Sequence, residues 1–312
     1  MKRLQIEYGA VVAPNIETYN GIISILGKCG QIEDSERIYN QISNDPSLSL
    51  DIITINSYLD ALSRNRKTRM PEVALKILAE VEEKAKNNDG SIHPNTRTYN
   101  TVINILSKSG PKWCEKAEEV LTRLEKHMDT NTNQINLKPD IISYSTCINA
   151  WSKSRCYDKA EKAYTVLKRL ERAYEMGIIE SSLNIFPYNG VLNACAFTKG
   201  DSKNRKKAFT IAESVFRDAI ATNRKDVQAD EITYATMLKA CTNLKGFEND
   251  HLHFIKPIVK HCCGHGFLGP LVMKELNYTL SQTQRNELLG CQQDFDPKWS
   301  QNVTNHMKKK KY

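Results

Sequence analysis

The chain has 312 residues, nine of them cysteines, with 26% charged residues and a formal net charge of +8. Its apolar stretches fall short of the roughly 20 residues that span a bilayer, so we expect no membrane partner. The cysteines are odd in number and irregularly spaced, which favours a reducing compartment over a secreted disulfide framework. The run Lys308–Lys311 supplies four of the positive charges, so bulk charge is a weak indication of a polyanionic partner.

Residues 1–13 precede the first periodic segment of the chain. They include basic residues, but Glu7 interrupts any apolar core and no small-residue cleavage site follows. This pattern predicts neither a secretory signal nor a transit peptide. We interpret the segment as a lead-in to the array or the remnant of a preceding repeat.

One helical pattern recurs six times along the chain. It reads "TYNTVINILSKSG" from Thr98 and "SYSTCINAWSKSR" from Ser143. Apolar residues at Val102, Ile103 and Leu106 follow the i, i+1, i+4 spacing of one helix face, whereas a half-buried strand would alternate. The repeats start near residues 16, 52, 96, 141, 185 and 231.

A second periodic segment follows the first helix in most repeats. In "KAEEVLTRL" from Lys116, Ala117 allows another helix to approach closely, and Val120 and Leu121 continue the buried stripe. Each repeat is therefore predicted to be a helical hairpin. The polar linkers between hairpins end in an Asp or Asn that is suited to capping the next helix.

A single hairpin cannot bury both of its faces, so neighbouring hairpins must stack into a continuous core. The predicted fold is all-α: an α-solenoid of about six helix-turn-helix repeats forming a right-handed superhelix over residues 14–265. Residues 266–312 are predicted to form a C-terminal capping helix and a basic tail.

The segment "HLHFIKPIVKHCCGHG" from His251 contains His and Cys side chains of the kind that bind zinc. Their spacing matches no C-x-x-C pair, while Pro257, Gly264 and Gly266 fit a kinked helix with a glycine stop. We therefore predict no metal and no cofactor. The sequence also contains no Gly-rich phosphate loop, Ser–His–Asp arrangement or HExxH motif, so we predict no enzymatic activity.

The recurring helix, with "LKPD" directly before Ile141, resembles the signature of the pentatricopeptide repeat family. The resemblance covers about Pro14 to Asn243 and is strongest in repeats one, three and four. It is weaker in repeat two, where Ile55 replaces the tyrosine. The family implies binding of single-stranded RNA with one base per repeat. It also implies a mitochondrial or plastid location and a role in RNA processing, stability or translation.

The resemblance assigns base reading to the residue after the tyrosine, paired with the last residue before the next repeat. Short amide, hydroxyl and carboxylate groups offer donors and acceptors in fixed positions. By the family's code the pairs read U, C or U, U, A and U from 5′ to 3′. Ala235 has no polar side chain, so we expect repeat six to read nothing. The five pairs are Asn20 with Asp51, Asn56 with Asn95, Asn100 with Asp140, Ser145 with Asn184, and Asn189 with Asp230.

Two further sets of residues keep the same register. The resemblance implies base-sandwiching side chains three residues before each base-reading position, and Glu17 in repeat one is unsuited to that role. Basic residues lie eight places beyond the base-reading positions of repeats one to four, suited to phosphate contacts. The sandwiching candidates are Ile53, Arg97, Ile142, Phe186 and Ile232, and the phosphate candidates are Lys28, Arg64, Lys108 and Lys153.

The expected partners are single-stranded RNA and RNA-processing proteins, with the chain itself a monomer. One alternative is a protein-binding scaffold of the tetratricopeptide type, which would favour large aromatic or basic groove residues over the recurring Asn and Ser. Another is the RNA-binding fragment of an RNA-processing enzyme, resembling protein-only RNase P without its catalytic domain. The sequence alone excludes neither alternative.

Overall fold

The structure is a computed structural model that describes residues 14–45, 48, 50–65, 70–87, 92–127, 137–221, 227–245 and 251–289. Over these residues the chain forms fourteen α-helices and no strand, which confirms the predicted all-α fold. No helix within the described ranges is long and apolar enough to cross a membrane.

The described helices follow one another in chain order as seven pairs, or hairpins, one more than the sequence predicts. In chain order they are α1 (Ile16–Cys29) and α2 (Ile32–Ser43), α3 (Ile52–Arg64) and α4 (Pro71–Lys86), α5 (Thr96–Lys108) and α6 (Cys114–Lys126), α7 (Ile141–Lys153) and α8 (Lys159–Glu175), α9 (Ile185–Ala196) and α10 (Ser202–Ile220), α11 (Glu231–Lys245) and α12 (His251–Gly264), and α13 (Pro270–Thr279) and α14 (Gln282–Leu289). We call the odd-numbered helices the first helices and the even-numbered ones the second helices.

The first helices of the six repeats begin at the capping side chains that end the linkers. Asp51, Asn95 and Asp230 accept hydrogen bonds from the backbone N–H three residues later, at 2.6, 3.0 and 2.9 Å. Asn15 and Asp140 do the same for α1 and α7 at 2.9 and 2.8 Å. Because such N–H groups have no partner inside the helix, each cap contributes about 1 kcal/mol to helix stability.

The tyrosine of the recurring helix lies in the core, and a second helix holds its hydroxyl. Tyr99 and Tyr188 are fully buried. The Tyr99 hydroxyl donates to Oε1 of Glu82 in α4 at 2.7 Å, and the Tyr188 hydroxyl donates to Oε1 of Glu171 in α8 at 2.8 Å. Burial and the Glu82 carboxylate raise the pKa of Tyr99 above its ordinary value. These bonds join each tyrosine to the preceding hairpin.

The hydroxyl of Tyr234 in α11 is instead bonded within its own hairpin. It lies 2.8 Å from Nδ1 of His261 in α12. Burial, and to a smaller extent the neighbouring His265, lower the pKa of His261. The neutral ring can accept the tyrosine proton at Nδ1, whereas a protonated ring would lose this acceptor.

The chain divides into two compact bodies, Met1–Ala150 and Trp151–Tyr312, with the boundary inside α7. In the N-terminal body α1 packs on α3 and α3 packs on α5, while α2 contacts both α1 and α3. Gly27 of α1 lies so close to Ala61 of α3 that a Cβ at Gly27 would be 2.6 Å from the Ala61 Cβ. A residue without a side chain therefore sets the distance between these two first helices.

The C-terminal body repeats the same arrangement. Here α9 packs on α11 and α11 packs on α13, while α10 contacts both α9 and α11. In both bodies, therefore, each hairpin buries its apolar face against the next one. This is the stacking of a solenoid, as the sequence predicts.

The C-terminal segment differs from the single capping helix that the sequence predicts for residues 266–312. Instead, α13 packs on α11 as another first helix and buries Val272 and Leu276. Gly266 follows α12 with a φ of 72°, in line with the predicted glycine stop, and Pro257 lies inside that helix. The predicted basic tail at Lys308–Lys311 lies outside the described residues.

Candidate nucleic-acid interface

A row of exposed apolar side chains marks the start of the first helices. Ile53, Ile142, Phe186 and Ile232 are 60%, 61%, 70% and 43% exposed. Each is the second residue of its helix, two places after the capping residue. Large apolar side chains scattered singly on a surface are ordinary, but recurrence at one structural position indicates a contact surface.

Arg97 occupies the same position in α5. Its side chain is 67% exposed, and a guanidinium nitrogen lies 2.5 Å from Oδ2 of Asp60 in α3. Such an exposed ion pair adds about 0–1 kcal/mol to stability. Its main effect is to fix where the guanidinium lies on the surface.

The polar pair of repeat three is joined directly, although its members are 40 residues apart. The Asn100 amide nitrogen lies 3.0 and 3.2 Å from the two Asp140 carboxylate oxygens and donates to that group. The Ser143 hydroxyl lies 2.6 Å from Asn100 Oδ1 and 2.9 Å from Asp140 Oδ1. Asp140 thus caps α7 and also binds the asparagine of the preceding hairpin.

Repeat five contains the same arrangement in the C-terminal body. Asn189 donates from Nδ2 to Asp230 Oδ1 at 3.1 Å. The Thr233 hydroxyl lies 2.7 Å from Asn189 Oδ1 and 2.9 Å from Asp230 Oδ1. The two best-formed polar pairs are therefore both of the Asn–Asp type, with a hydroxyl three residues after the Asp.

The pairs of repeats one and two are looser. Asn56 Nδ2 lies 3.4 Å from Asn95 Oδ1, and no hydrogen bond joins Asn20 to Asp51 among the described residues. In the same ranges, Oδ1 of Asn20 and Oδ1 of Asn56 are buried without a hydrogen-bond partner. An unpartnered buried oxygen costs about 1–3 kcal/mol, so a donor from water or a ligand would stabilise it.

The members of the fourth pair lie in different bodies of the chain. Ser145 is in the N-terminal body, and its hydroxyl is buried without a partner in the described part of the structure. Asn184 is in the C-terminal body and accepts from the Phe186 N–H at 3.1 Å. Pro187 stands where other repeats have Ser or Thr and has no N–H, so this cap shifts by one residue.

The basic candidates lie in the last turns of their first helices. Lys28, Arg64 and Lys153 are exposed, and Lys108 is half-buried. Positive charge at a helix C-terminus also interacts favourably with the helix dipole, so this position has a structural role as well.

The equivalent positions of repeats five and six hold Phe197 and Asn243, which are not basic. Phe197, 44% exposed, has the ammonium group of Lys239 5.2 Å from its ring centroid. Asn243 donates from Nδ2 to the backbone oxygen of Ala196 at 2.8 Å.

The register continues beyond the six repeats found in the sequence. Ala235 is 8% exposed and has no polar side chain. In the seventh hairpin Leu271, the second residue of α13, is 46% exposed, and Lys274 follows it by three residues, as Asn189 follows Phe186. Sequence reasoning missed these residues because α13 lacks the tyrosine–asparagine pattern, and only its packing on α11 shows its place in the array.

The histidine- and cysteine-rich segment that begins at His251 forms α12 and contributes buried side chains to the core of the sixth hairpin. Cys262 and Cys263 are buried, and burial raises the pKa of the Cys263 thiol to about 11. His261 binds the Tyr234 hydroxyl. Among the described residues no group of three or more His, Cys, Asp or Glu side chains is placed to hold a metal ion.

Stacked hairpins with one polar register place the chain in the class of helical-repeat proteins. A family model described as PPR repeat matches residues 17–45 and 142–176, and a model described as pentatricopeptide repeat domain matches residues 41–109. These matches confirm the resemblance to the pentatricopeptide repeat family that the sequence predicts.

Two pentatricopeptide repeat-containing proteins of Arabidopsis thaliana are similar to this chain. One is 22% identical over 245 residues, covering 78% of this chain and 32% of the relative. The other, named as chloroplastic, is 21% identical over 259 residues, covering 80% of this chain and 25% of the relative. The chain thus spans at most about a third of the length of these relatives.

One solved structure is also similar to the chain. It is the crystal structure of the pentatricopeptide repeat protein PPR10 in complex with an 18-nt psaJ RNA element. The alignment has a TM-score of 0.40 and 17% identity, and covers 95% of this chain and 43% of that chain.

Proposed function

We propose that the chain binds single-stranded RNA, with each complete repeat contacting one base. The observation that carries the proposal is the row of exposed side chains beside the polar pairs. Around the Asn100–Asp140 pair, Arg97 lies one turn before the asparagine and Ile142 two residues after the aspartate. A base edge could reach the polar pair while the base plane packs between the two flanking side chains.

Repeat five supports the same geometry with different side chains. Phe186 precedes Asn189 by three residues, and Ile232 follows Asp230 by two. An aromatic ring and a branched aliphatic side chain would cover opposite faces of a base. Stacking of this kind is tolerant of sequence, so the polar pair would supply the selectivity.

By the family's code, we propose that the five pairs read U, C or U, U, A and U from 5′ to 3′, and that Ala235 reads nothing. Lys28, Arg64, Lys108 and Lys153 would contact phosphates, which position the strand without selecting bases. The proposed activity is binding without catalysis, as is general in this family.

We propose that this binding acts in mitochondrial or plastid RNA processing, stability or translation, alone or with RNA-processing proteins. The chloroplastic name of one relative supports an organellar location. The recurring asparagines at the proposed base-reading positions favour RNA over the peptide termini that a tetratricopeptide-type groove binds.

The proposal is tested by selection from a random single-stranded RNA pool with the purified chain. Duplex RNA is used for counter-selection. The selection is run at two salt concentrations, because phosphate binding alone weakens steeply with salt. A short U-rich motif enriched at both salt concentrations is the expected result. Binding that disappears at the higher salt concentration, or no enrichment, would refute base reading and favour a protein-binding scaffold.

A single substitution tests the register of repeat five. By the family's code, Asn189→Thr with Asp230 retained should move the preference from U towards G at one position of the selected motif. Asn193→Thr is the matched control, since Asn193 lies one turn further along α9 and donates to Ser152 Oγ at 3.5 Å. Equal effects of the two variants, or uniform weakening at every position, would refute the assignment of this pair.

A further inference from the structure

Two asparagine amides are held from both ends in the unbound chain. The Asn100 amide nitrogen donates to Asp140 while its oxygen lies 2.6 Å from the Ser143 hydroxyl. The Asn189 amide nitrogen donates to Asp230. The Asn189 amide oxygen lies 2.7 Å from the Thr233 hydroxyl. Ser143 and Thr233 themselves are fully buried.

The equivalent hydroxyls of two other repeats do not reach the preceding asparagine. Thr54 and Thr98 are also fully buried, and their hydroxyls lie 2.6 and 3.0 Å from the side chains of their capping residues, Asp51 and Asn95. Within the described residues, however, Oδ1 of Asn20 and Oδ1 of Asn56 have no partner. All four hydroxyls thus lie within hydrogen-bond distance of their capping side chains. Of the four, those of Ser143 and Thr233 also reach the asparagine of the preceding hairpin.

This difference matters because uracil and cytosine present opposite patterns on the edge that a side chain reads. Uracil offers an N3–H donor beside the O4 acceptor, whereas cytosine offers an N3 acceptor beside the N4 amino donor. An amide that turns by 180° exchanges its C=O and NH2 groups and can match either base. An amide whose oxygen faces a hydroxyl and whose nitrogen faces a carboxylate is held in one orientation.

We propose that Ser143 and Thr233 are specificity-determining positioning residues. Each holds the asparagine of the preceding hairpin in one amide orientation, so repeats three and five discriminate uracil from cytosine more strongly than repeats one and two. Neither hydroxyl needs to touch RNA, because it acts through Asn100 or Asn189. This inference rests on the proposed function and adds a third residue to the two that the family resemblance assigns to each base.

The test is Thr233→Val in the full chain. This change keeps the branched shape and removes the hydroxyl. Binding is measured to two RNAs that carry U or C opposite Asn189 and are otherwise the selected sequence. The ratio of the two affinities is expected to fall by about 2- to 12-fold, corresponding to one net hydrogen bond. Thr233→Ser keeps the hydroxyl and is expected to keep the ratio.

The matched control is Thr98→Val, measured with U or C opposite Asn56. It removes a buried hydroxyl and the hydrogen bond that this hydroxyl accepts from the backbone N–H of its capping residue, as Thr233→Val does, but no bond to the preceding asparagine. The affinity ratio at this position is expected to stay unchanged. An equal change in both variants, or an unchanged ratio in Thr233→Val, would overturn the proposal.

Ser143→Ala repeats the test at Asn100 with a smaller change in side-chain volume, and it replaces Thr233→Val if thermal melts show that variant to be unfolded. The outcomes distinguish failure of the proposed function from failure of this inference. A wild-type chain that binds no single-stranded RNA refutes the proposed function and this inference with it. A wild-type chain that prefers U, together with hydroxyl-free variants that keep the preference, refutes this inference alone.

Discussion

Replacing Phe186 with alanine separates RNA stacking from folding, because this side chain does so little in the unbound protein. Phe186 is 70% exposed at the start of α9. Its truncation removes little buried surface, so the free energy of unfolding is expected to change by less than about 0.5 kcal/mol. A stacked aromatic side chain contributes about 1–3 kcal/mol per base, so RNA affinity is expected to fall about 5- to 140-fold.

The control is Tyr278→Ala in α13, which removes another aromatic side chain that is 80% exposed but lies outside the base-sandwiching register. Fluorescence anisotropy with a labelled RNA, repeated at two salt concentrations, measures both variants. The loss caused by Phe186→Ala is expected to persist at the higher salt concentration, because stacking involves no counterion release. No loss, or the same loss in Tyr278→Ala, would refute the stacking surface.

Three other predictions concern packing, pH and salt. Gly27→Ala is expected to lower the free energy of unfolding by about 1–3 kcal/mol, because the added methyl group collides with α3. Gly21→Ala in the same helix is expected to raise the free energy of unfolding by about 0.5–1 kcal/mol, because a Cβ there meets nothing within 4 Å. Urea unfolding measures both, and equal stabilities would contradict the close approach of the helices. The lowered pKa of His261 means that, just below its ordinary value of about 6.5, the unfolded chain binds more protons than the folded chain. Thermal stability is therefore expected to fall as pH decreases through this range and to fall less in His261→Gln; identical pH profiles would contradict this. Lys28→Ala combined with Arg64→Ala is expected to reduce the slope of log affinity against log salt by about 1.4, or about 0.7 per phosphate contact, and an unchanged slope would remove these residues from the phosphate set.

The dual role of the aspartates affects how the array can be re-engineered. Asp230 accepts from the backbone N–H of Thr233, which caps α11, and from the amide of Asn189. Replacing it changes a helix cap, worth about 1 kcal/mol, together with the proposed base-reading group. Substitutions at Asn189 leave that cap in place, so they are the cleaner way to alter the base preference of a repeat.

The local features of the molecule follow directly from its sequence. The periodic apolar residues predict the first and second helices, and the Asp or Asn at the end of each linker predicts the caps. The family resemblance implies the exposed position of Ile53, Ile142, Phe186 and Ile232, because it assigns to RNA contact the residue three places before each proposed base-reading position. These features depend on residues within one or two helical turns, where sequence spacing determines geometry.

The arrangement of the polar pairs depends on the tertiary structure. Asn100 and Asp140 are 40 residues apart and bond directly, whereas Asn56 and Asn95, 39 residues apart, are at the limit of hydrogen bonding. Nothing in the residue types predicts that Ser143 reaches the preceding asparagine and that Thr98 does not.

The seventh hairpin is the other feature that the packing decides. The segment "PLVMKELNYT" has Met273 and Lys274 where the recurring helix has tyrosine and asparagine, yet α13 packs on α11 as α11 packs on α9. Helix periodicity determines which face of a helix is apolar, but the distance and tilt between two helices depend on all the side chains between them. That spacing decides whether a buried hydroxyl comes within hydrogen-bond distance of an amide oxygen or leaves it without a partner.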